Sequence, residues 1–436
     1  MPFEKLNKYT PLATFMLIRF LILLAVLLLI DFYFFQALKT IAIDWSEVKR
    51  NIAFRTYWAI TAFSIVFGIF TIVTYQHPLL PKFAYLYTIC LIFIIVISKL
   101  IGSLFLMIDD VQRLIQWIVS LFNQNKSEIN AVKIGISRAK FLSYGALTLA
   151  AVPLVTMIYG MIKTAFDFTI RREKIILGNL PDAFNGLKII QISDIHSGSF
   201  ASGDAFKKAV EMINAEKPDV IFFTGDLVND RSDEAEPFVE IWKDLKAEFG
   251  IYSTLGNHDY GDYVTWESTN LKAQNLERLK EIHQEMGWDL LMNEHRILSK
   301  DGASIGILGV ENWGAALRFP RKGDMKKAKL DMPEVPVKLL LSHDPSHWKA
   351  QITNDHQDID VAFAGHTHGF QFGIEIPGFK WSPSQYVYKQ WAGLYTEGNQ
   401  HIYVNRGLGF LGYLGRVGIK PEISVIELHN GKSIVS

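Results

Sequence analysis

The chain has 436 residues, and its 44 basic and 44 acidic residues give a formal net charge of zero. Without a basic excess, nucleic acid is not expected as a partner. A single cysteine, Cys90, excludes an internal disulfide framework and a cysteine-based zinc site. The mean hydropathy is positive, at +0.16, and the apolar residues are concentrated before about residue 165, which indicates membrane-spanning segments.

Four apolar stretches in the N-terminal part are long enough to cross a bilayer as helices. They are predicted at about residues 17–38, 56–75, 83–107 and 141–162. The first stretch could instead be a signal peptide, but three further spans and the lack of a clear small-residue cleavage site favour an anchor. We therefore predict a four-helix transmembrane region over residues 1–165 and a second domain over residues 166–436.

Two charged residues and one connecting segment stand out in this region. Asp31 and Lys99 lie within predicted spans. They would either mark a polar pathway or, as is commoner near span ends, extend their charged groups to the interface. Residues 110–123 carry apolar side chains at helical spacing, which predicts either an interfacial helix or a helix packed on the bundle.

The distribution of Lys and Arg bears on the orientation of the chain in the membrane. Four spans place both chain ends on the same side. The loops after the first and third spans carry slightly more Lys and Arg than the other side, in a count that includes Lys126 and Lys133. Positive residues concentrate on the cytoplasmic side, so this count favours a second domain outside the cytoplasm.

From about residue 166, charged residues become frequent and short apolar runs alternate with amphipathic segments. This alternation is typical of an α/β domain, and the segment is long enough to bury its own core. The predicted strands are 188–193, 220–224, 251–255, 304–310, 337–342, 359–364, 401–405 and 423–428. The predicted helices are 205–215, 235–246, 270–286 and 346–352.

Five polar fragments follow, or nearly follow, predicted strands. They are Asp194-Ile195-His196, Gly225-Asp226, Gly256-Asn257-His258-Asp259, Ser342-His343 and Gly365-His366-Thr367-His368. Side chains at i and i+2 of an extended segment point the same way, and strand ends converge at one sheet edge. Any single fragment fits turn residues and buried histidines. Together, this mixture of nitrogen and oxygen ligands predicts two divalent transition metals, a site typical of phosphate-ester hydrolysis.

These motifs resemble those of the calcineurin-like metallophosphoesterase superfamily, over about residues 174–435. The Gly-His-Thr-His-Gly segment and the tail Asn405-Arg406-Gly407-Leu408-Gly409, Arg416 and Pro421-Glu422-Ile423 are most similar to its membrane-associated, YkuE-like bacterial branch. That branch also resembles UDP-diacylglucosamine pyrophosphohydrolases. The resemblance implies a two-sheet β-sandwich flanked by helices, a dinuclear metal centre and a location in the bacterial cell membrane.

The resemblance also implies roles for individual residues. The first metal would be held by Asp194, His196, Asp226 and His368, and the second by Asp226, Asn257, His343 and His366. His258 would contact the phosphate and protonate the leaving oxygen, Asp259 would orient His258, and Asn257 would help to stabilise phosphoryl charge. The ions would be Mn, Fe or Zn, because this ligand set does not choose among them, and they would activate water as hydroxide.

The C-terminal part contributes further candidates. Arg406 and Arg416 are candidates for binding a substrate phosphate, with a structural or surface role as the alternative. The apolar segment 410–414 would line an acyl-chain groove, touch the bilayer or pack in the core. Core packing is also favoured over an aromatic rim near the site for Trp381, Tyr386, Tyr388 and Trp391.

The sequence thus predicts a membrane-anchored, dinuclear-metal phosphoesterase that acts on a phosphate ester or a pyrophosphate. The anchor favours a lipid-linked substrate, although anchors also serve enzymes with soluble substrates. One alternative is a non-catalytic, metal-binding membrane sensor or scaffold, against which the intact His258 and Asp259 argue. The other is a transport module, which the scarcity of intramembrane charge disfavours.

Overall fold

The computed structural model describes residues 10–74, 79–122, 138–316 and 318–431, with side chains from residue 21 onward except that of Ile72. The chain divides into two compact units, Met1–Tyr159 and Gly160–Ser436. The sequence placed the boundary slightly later, after residue 165. The functional division into an anchor and a second domain stays a prediction.

Long helices make up the described part of the first unit. They are α1 (Thr10–Ile41), α2 (Glu47–Val73), α3 (Lys82–Phe122) and α4 (Arg138–Ile162). Within the described ranges, these four helices are long and apolar enough to cross a membrane, which confirms the predicted four-helix region.

The segment predicted as a separate helix at 110–123 is instead the C-terminal part of α3, which runs on through Phe122. Neither Gly nor Pro occurs between Ser103 and Phe122, so nothing in the sequence ends the helix after the apolar span. Asn123 and the following loop, with the Lys126 and Lys133 of the positive-inside count, lie outside the described residues.

Asp31 and Lys99 form an ion pair inside the first unit. The Lys99 Nζ lies 2.5 Å from Asp31 Oδ1 and donates to Thr61 Oγ1 at 3.1 Å. The two charged side chains are only 10% and 13% exposed, so Lys99 points into the bundle and not toward an interface. In an apolar environment, each charge depends on the other for its stabilisation.

We expect Lys99→Met to lower the free energy of unfolding of the first unit by about 3–5 kcal/mol, because Asp31 would be left as an unpaired buried charge. The double variant Asp31→Leu/Lys99→Met should recover most of that loss. Thermal denaturation of the detergent-solubilised full-length protein, followed by size-exclusion chromatography, measures both. Equal melting temperatures for wild type and Lys99→Met would contradict this prediction.

The described part of the second unit is an α/β structure with two six-stranded mixed sheets and a separate hairpin. Its strands are β1 (Thr169–Ile176), β2 (Leu187–Ile192), β3 (Val220–Phe223), β4 (Ile251–Ser253), β5 (Asp289–Leu290), β6 (Glu294–Lys300), β7 (Ala303–Gly309), β8 (Lys338–Leu341), β9 (Val361–Ala364), β10 (Ile374–Ile376), β11 (Phe379–Trp381), β12 (Gly393–Glu397), β13 (Gln400–Val404) and β14 (Glu422–His429). The first sheet has the order β1-β14-β2-β3-β4-β5 and the second β12-β13-β9-β8-β7-β6.

Helices and a shared core complete this architecture. The helices are α5 (Asp204–Ala215), α6 (Val239–Trp242), α7 (Thr269–Glu285), α8 (Met325–Ala328) and α9 (Thr353–Asp355), with a π-helix at Trp348–Ile352. Side chains of both sheets, such as Ile189, Phe222, Leu339 and Phe363, meet in one buried cluster. The sheets therefore pack face to face, as the predicted two-sheet fold requires.

The polar fragments follow strands that run parallel in the middle of each sheet. In the first sheet β2 pairs with β3 and β3 with β4, all parallel. In the second sheet β8 pairs with β9, also parallel. The carboxyl ends of parallel strands share one edge of a sheet, so the loops that follow these five strands are brought together.

Candidate metal centre

Three of the predicted ligands form a first buried cluster. Asp194 and His196 follow β2, and His368 follows β9. The Nε2 atoms of His196 and His368 lie 3.1 Å apart, and His368 Nε2 lies 3.3 Å from Asp194 Oδ1. The arrangement of one carboxylate and two imidazoles is therefore able to hold one cation.

A second cluster consists of Asp226, His343 and His366, which follow β3, β8 and β9. His343 Nε2 lies 3.1 Å from Asp226 Oδ2 and 3.2 Å from His366 Nδ1. This group too is able to hold a cation. The two clusters combine residues that are up to 174 positions apart in the chain, from 194 to 368.

Asp226 lies between the two clusters. Its Oδ2 atom is 3.1 Å from His343 Nε2 in the second cluster and 3.6 Å from His196 Nε2 in the first. Its other oxygen, Oδ1, accepts a hydrogen bond of 2.9 Å from the backbone N–H of His258. One carboxylate oxygen is thus fixed by the backbone, and the other faces both clusters.

The distances between the ligand atoms, together with an amide oxygen that has no hydrogen-bond partner, fit divalent cations. Ligand atoms about 2.0–2.2 Å from one ion lie about 2.8–3.6 Å from one another, which matches the separations within both clusters.

Asn257 is buried, and its Nδ2 donates to the Tyr263 hydroxyl at 2.8 Å. The Asn257 Oδ1 has no hydrogen-bond partner, although a buried carbonyl oxygen ordinarily has one. This oxygen is consistent with a neutral ligand.

Charge at the site also favours cations. Burial opposes the ionisation of Asp194 and Asp226, but the imidazoles of His368 and His343 outweigh it and hold the pKa of both carboxyl groups below the usual range. Burial lowers the pKa of His196 and of His366, which leaves neutral imidazoles with a lone pair to donate. At His343 burial is outweighed by Asp226, which raises the pKa of that imidazole to about 10, so a cation bound there would displace its Nε2 proton. Ionised carboxylates and neutral imidazoles are the protonation states that bind metals.

Hydrogen bonds to the opposite ring nitrogens orient three of the imidazoles. His196 Nδ1 lies 3.1 Å from Asn229 Oδ1, and His343 Nδ1 lies 2.6 Å from the Thr224 carbonyl. His258 Nδ1 lies 2.7 Å from the Asn229 carbonyl. A carbonyl oxygen only accepts, so in each case Nδ1 carries a hydrogen and Nε2 is the nitrogen that is left for other partners.

Asn229 is a site residue that the sequence analysis missed. Its side chain orients His196 and its carbonyl orients His258, so one residue fixes two imidazoles. Its only sequence signal is its position three residues after Asp226, in the turn that follows β3. Partners of this kind commonly fix the tautomer of metal-binding histidines.

The backbone around the two clusters is held in an uncommon conformation. Asp194, His196, Asp226, His366 and His368 all have φ between 49° and 68°. This left-handed region costs non-glycine residues about 1–3 kcal/mol each and persists where the surroundings determine it. Five of the eleven non-glycine residues with positive φ in the described ranges belong to the clusters, which is typical of a functional site.

Two glycines allow this close approach of loops. A Cβ atom at Gly256 would lie 2.2 Å from Asp226 Oδ1, and one at Gly365 would lie 2.2 Å from Asp194 Oδ2. Any side chain at either position would displace a carboxylate of the clusters. The Gly residues of the Gly-Asn-His-Asp and Gly-His-Thr-His fragments are therefore part of the geometry of the site.

The role predicted for Asp259 needs correction. Its carboxylate accepts backbone N–H groups of Asp226, Leu227 and Gly256 at 2.8–2.9 Å, and that of Val228 at 3.3 Å. His258 is oriented by Asn229 instead. Asp259 is completely buried, and it ties the loop that follows β3 to the loop that follows β4.

The substrate-binding roles suggested for Arg406 and Arg416 are not what their contacts indicate. Arg406 is 3% exposed and forms ion pairs of 2.5 Å with Glu422 and 2.8 Å with Glu375. Arg416 is fully buried and donates to the carbonyls of Arg406 and Gly407, and its Nη2 lies 3.4 Å from His368 Nδ1. Both guanidinium groups hold the fold around the first cluster.

The apolar segment 410–414 also packs inward. Phe410 and Leu414 are 1% and 2% exposed, and Phe410 contacts Phe166 and Phe200. The core alternative is therefore the correct one for these two residues. The four aromatic residues of the preceding segment differ in their surroundings. Trp391 is buried, Trp381 is partly buried, Tyr386 is exposed and Tyr388 contacts His366.

Comparison with known proteins agrees with this geometry. The family described as "Calcineurin-like phosphoesterase" matches residues 187–370, and the one described as "Probable Calcineurin-like phosphoesterase, transmembrane domain" matches residues 16–165. The uncharacterized metallophosphoesterase YkuE of Bacillus subtilis is 31% identical over 253 residues, which cover 57% of this chain and 81% of that protein.

The chain belongs to the calcineurin-like phosphoesterase family. Two other similar proteins carry more specific names. UDP-2,3-diacylglucosamine pyrophosphatase LpxG of Chlamydia trachomatis is 28% identical and covers 60% of this chain and 90% of its own length. Phosphodiesterase YaeI of Escherichia coli is 26% identical, with coverages of 67% and 99%. As a member of this family, the chain is a metal-dependent phosphoesterase with a membrane-spanning region.

Tyr388 contacts the site, which is the alternative that the sequence analysis ranked below core packing. Its hydroxyl lies 2.8 Å from His366 Nε2, while His366 Nδ1 faces His343. Burial raises the pKa of Tyr388, so its hydroxyl is neutral and is able to accept the Nε2 hydrogen of His366. With Nε2 carrying the hydrogen, the ring is held with the Nδ1 lone pair toward the second cluster.

We expect Tyr388→Phe to weaken the binding of Mn²⁺ by about 10- to 100-fold, because His366 would lose the partner that orients it. Titration of the metal-stripped protein with Mn²⁺, followed by phosphodiesterase activity, measures the change. Tyr386→Phe is the matched control, because Tyr386 is 76% exposed and lies two residues away in the same segment. Equal Mn²⁺ affinity in the two variants would show that Tyr388 does not position His366.

Proposed function

We propose that this protein is a membrane-anchored, dinuclear-metal hydrolase of a phosphate ester or pyrophosphate. In this proposal Asp194, His196, Asp226 and His368 hold one ion, and Asp226, Asn257, His343 and His366 hold the other. The observation that carries the proposal is the position of Asp226 Oδ2, within 3.6 Å of a histidine nitrogen of each cluster. A single carboxylate oxygen shared in this way suits two neighbouring ions.

Two divalent ions, when bound, supply Lewis acidity at the phosphoryl group and lower the pKa of water. The residues of the chain contribute orientation and a proton. His258 is only partly buried, whereas His196, His343 and His368 are buried, and its Nδ1 is held by Asn229. In its imidazolium form His258 also carries a hydrogen on Nε2, which would bond to the phosphate and pass to the leaving oxygen, while Nδ1–H stays on the Asn229 carbonyl.

The substrate class follows from the anchor and from the relatives. A domain tethered to membrane-spanning helices encounters lipid-linked phosphates at the bilayer surface. The name of LpxG describes a pyrophosphatase of a diacylated sugar nucleotide, and the name of YaeI a phosphodiesterase. We therefore propose a lipid-linked pyrophosphate or phosphodiester as substrate, with Mn²⁺, Fe or Zn²⁺ as the ions. We place the protein in a bacterial cell membrane, with the metal centre outside the cytoplasm.

Hydrolysis by the purified full-length protein in detergent tests this function. The substrates are bis-p-nitrophenyl phosphate, p-nitrophenyl phosphate and a lipid pyrophosphate, each with and without Mn²⁺. The variant His258→Ala removes the proposed acid. His401→Ala is the matched control, since His401 lies on β13, where its Nδ1 pairs with Thr396.

The expected result is Mn²⁺-dependent turnover that falls by about 10²-fold or more in His258→Ala and stays unchanged in His401→Ala. Preference for the lipid pyrophosphate would support the substrate class. Stable binding of two ions without turnover of any of the three substrates would contradict the proposal. That result would favour a metal-binding sensor or scaffold instead.

A further inference from the structure

The hairpin formed by β10 and β11 begins six residues after His368, the last ligand of the first cluster. Its register pairs Ile374 with Trp381, Glu375 with Lys380 and Ile376 with Phe379. Because side chains alternate along a strand, Ile374, Ile376, Phe379 and Trp381 share one face. Glu375 and Lys380 share the other face.

The charged face of this hairpin is turned toward the domain. Glu375 lies 2.8 Å from Arg406 and 2.7 Å from Arg171, and the Lys380 ammonium donates to the Ala392 carbonyl at 2.6 Å. The apolar face is consequently left outside, with Ile374, Ile376 and Phe379 at 50%, 59% and 53% exposure. A hairpin on the surface of a water-soluble protein has the opposite arrangement, with its apolar face on the core.

The exposed apolar surface extends beyond the hairpin. We call it the apolar rim and define it by the exposed residues Phe370, Phe372, Ile374, Ile376, Phe379, Tyr386 and Val387. In the described chain from β1 onward, eleven large apolar side chains are exposed, and these seven lie within residues 370–387. Such concentration marks an interaction surface, because scattered apolar side chains would need no explanation.

The charges around the rim indicate which partner it fits. Between residues 370 and 391, Glu375 is the only acidic residue, and it is already paired with two arginines. Lys389 is exposed, whereas the Lys380 ammonium is turned toward the domain and donates to the Ala392 carbonyl. Aromatic and aliphatic side chains next to an exposed lysine, without an unpaired carboxylate among them, are typical of segments that lie in the interface of an anionic bilayer.

We propose that the apolar rim inserts into the interface of an anionic phospholipid bilayer, at the boundary between headgroups and acyl chains. A bilayer is favoured over a second protein copy because α4 ends at Ile162 and β1 begins at Thr169. The six residues 163–168 therefore keep the domain at the membrane that the apolar helices cross. This contact does not depend on the proposed function.

The rim is continuous with the metal centre. It starts two residues after His368 and ends beside Tyr388, whose hydroxyl contacts His366. A lipid-linked phosphate held in the bilayer interface would reach the two clusters without leaving the membrane. This second part, delivery of a lipid-linked substrate, rests on the proposed function.

Fluorescent labelling tests the membrane contact. In a Cys90→Ala background, which removes the single cysteine, Phe379→Cys and Leu330→Cys each provide one site for an environment-sensitive nitrobenzoxadiazole label. Leu330 is the matched control, as an apolar residue with 66% exposure outside the rim. The full-length variants are reconstituted in vesicles of phosphatidylcholine and phosphatidylglycerol, with spin-labelled lipids as quenchers.

We expect the label at 379 to emit at shorter wavelength and to be quenched by the spin-labelled lipids, whereas the label at 330 is quenched by aqueous iodide. Iodide quenching of both labels, with no effect of the spin-labelled lipids, would overturn the proposal. Protection of residue 379 that rises with the protein-to-lipid ratio would also overturn it, because it would identify a second copy as the partner.

Substrate delivery has a separate test. In Ile376→Glu/Phe379→Glu we expect turnover of a lipid pyrophosphate in vesicles to fall by about tenfold or more, and turnover of bis-p-nitrophenyl phosphate to stay unchanged. Leu330→Glu should affect neither substrate. Unchanged turnover of the lipid pyrophosphate would refute delivery by the rim. Lack of turnover by the wild type would instead refute the proposed function, and the labelling result would still stand.

Discussion

Asp226→Asn should reduce phosphodiesterase turnover by about 10³-fold or more, a loss of about 4 kcal/mol of transition-state stabilisation. The amide retains an oxygen for the His258 N–H, which Asp226 Oδ1 accepts now. It then presents an NH₂ group where Oδ2 faces both clusters. An NH₂ group does not bind a cation, so the variant loses a shared ligand and a negative charge. Steady-state kinetics with Mn²⁺ and elemental analysis of the same preparation measure activity and metal content together.

Asp233→Asn is the matched control for Asp226→Asn. Asp233 is exposed, lies seven residues later and belongs to neither cluster. Its substitution should leave turnover and metal content unchanged. Near-normal turnover of Asp226→Asn with two ions bound per chain would refute the bridging role of Asp226.

Asp259→Asn should destabilise the second unit by about 2–5 kcal/mol and reduce its metal content, although Asp259 is not among the proposed ligands. The Asp259 carboxylate accepts N–H groups from four residues, and it is completely buried. Asparagine offers a single acceptor oxygen. Its NH₂ group, which only donates, would face the backbone N–H groups that the second carboxylate oxygen of Asp259 accepts. Buried N–H groups would lose their partners, and the loops that carry Asp226 and Asn257 would separate. Denaturant unfolding, together with elemental analysis, detects both effects.

Asp262→Asn separates this effect from the general loss of a carboxylate. Asp262 lies in the same loop, is exposed and pairs with Lys272 at the surface. A surface ion pair contributes about 0–1 kcal/mol, so this control should behave almost as the wild type. If Asp259→Asn unfolds at the same denaturant concentration as Asp262→Asn, then Asp259 does not hold the two loops together.

Local patterns in the sequence were sufficient for eight strands, including the five that precede the polar fragments, and for the convergence of those fragments, but not for β1, β5, β6, β10, β11 and β12. The predicted strand 220–224, for example, matches β3 within one residue, because a buried parallel strand is a continuous apolar run. A helix was predicted at 235–246, but Glu236–Phe238 form a 3₁₀ turn and the α-helix covers Val239–Trp242. The first bonds of this segment are of the 3₁₀ type, such as that from the Phe238 N–H to the Ala235 carbonyl, which the apolar spacing alone did not distinguish from α-helix.

Partners from distant parts of the chain were beyond such patterns. Asp259 binds backbone groups of residues 226–228, about 30 positions earlier, and Arg406 pairs with Glu375 and Glu422. Composition indicates that an arginine or an aspartate is present but not which group it meets in the fold. The β10–β11 hairpin was missed although Pro377-Gly378 between alternating residues is a turn signal. Its alternation did not reveal that the apolar side faces outward.

The central claim is that two ions, held on either side of Asp226, are required for hydrolysis. The most direct measurement strips the full-length protein of metal with a chelator and restores Mn²⁺ stepwise, with bound metal and bis-p-nitrophenyl phosphate turnover determined at each step. The account predicts no turnover in the stripped protein and full turnover only as the bound metal approaches two ions per chain. Full turnover after chelation, or with a single ion bound, would contradict it.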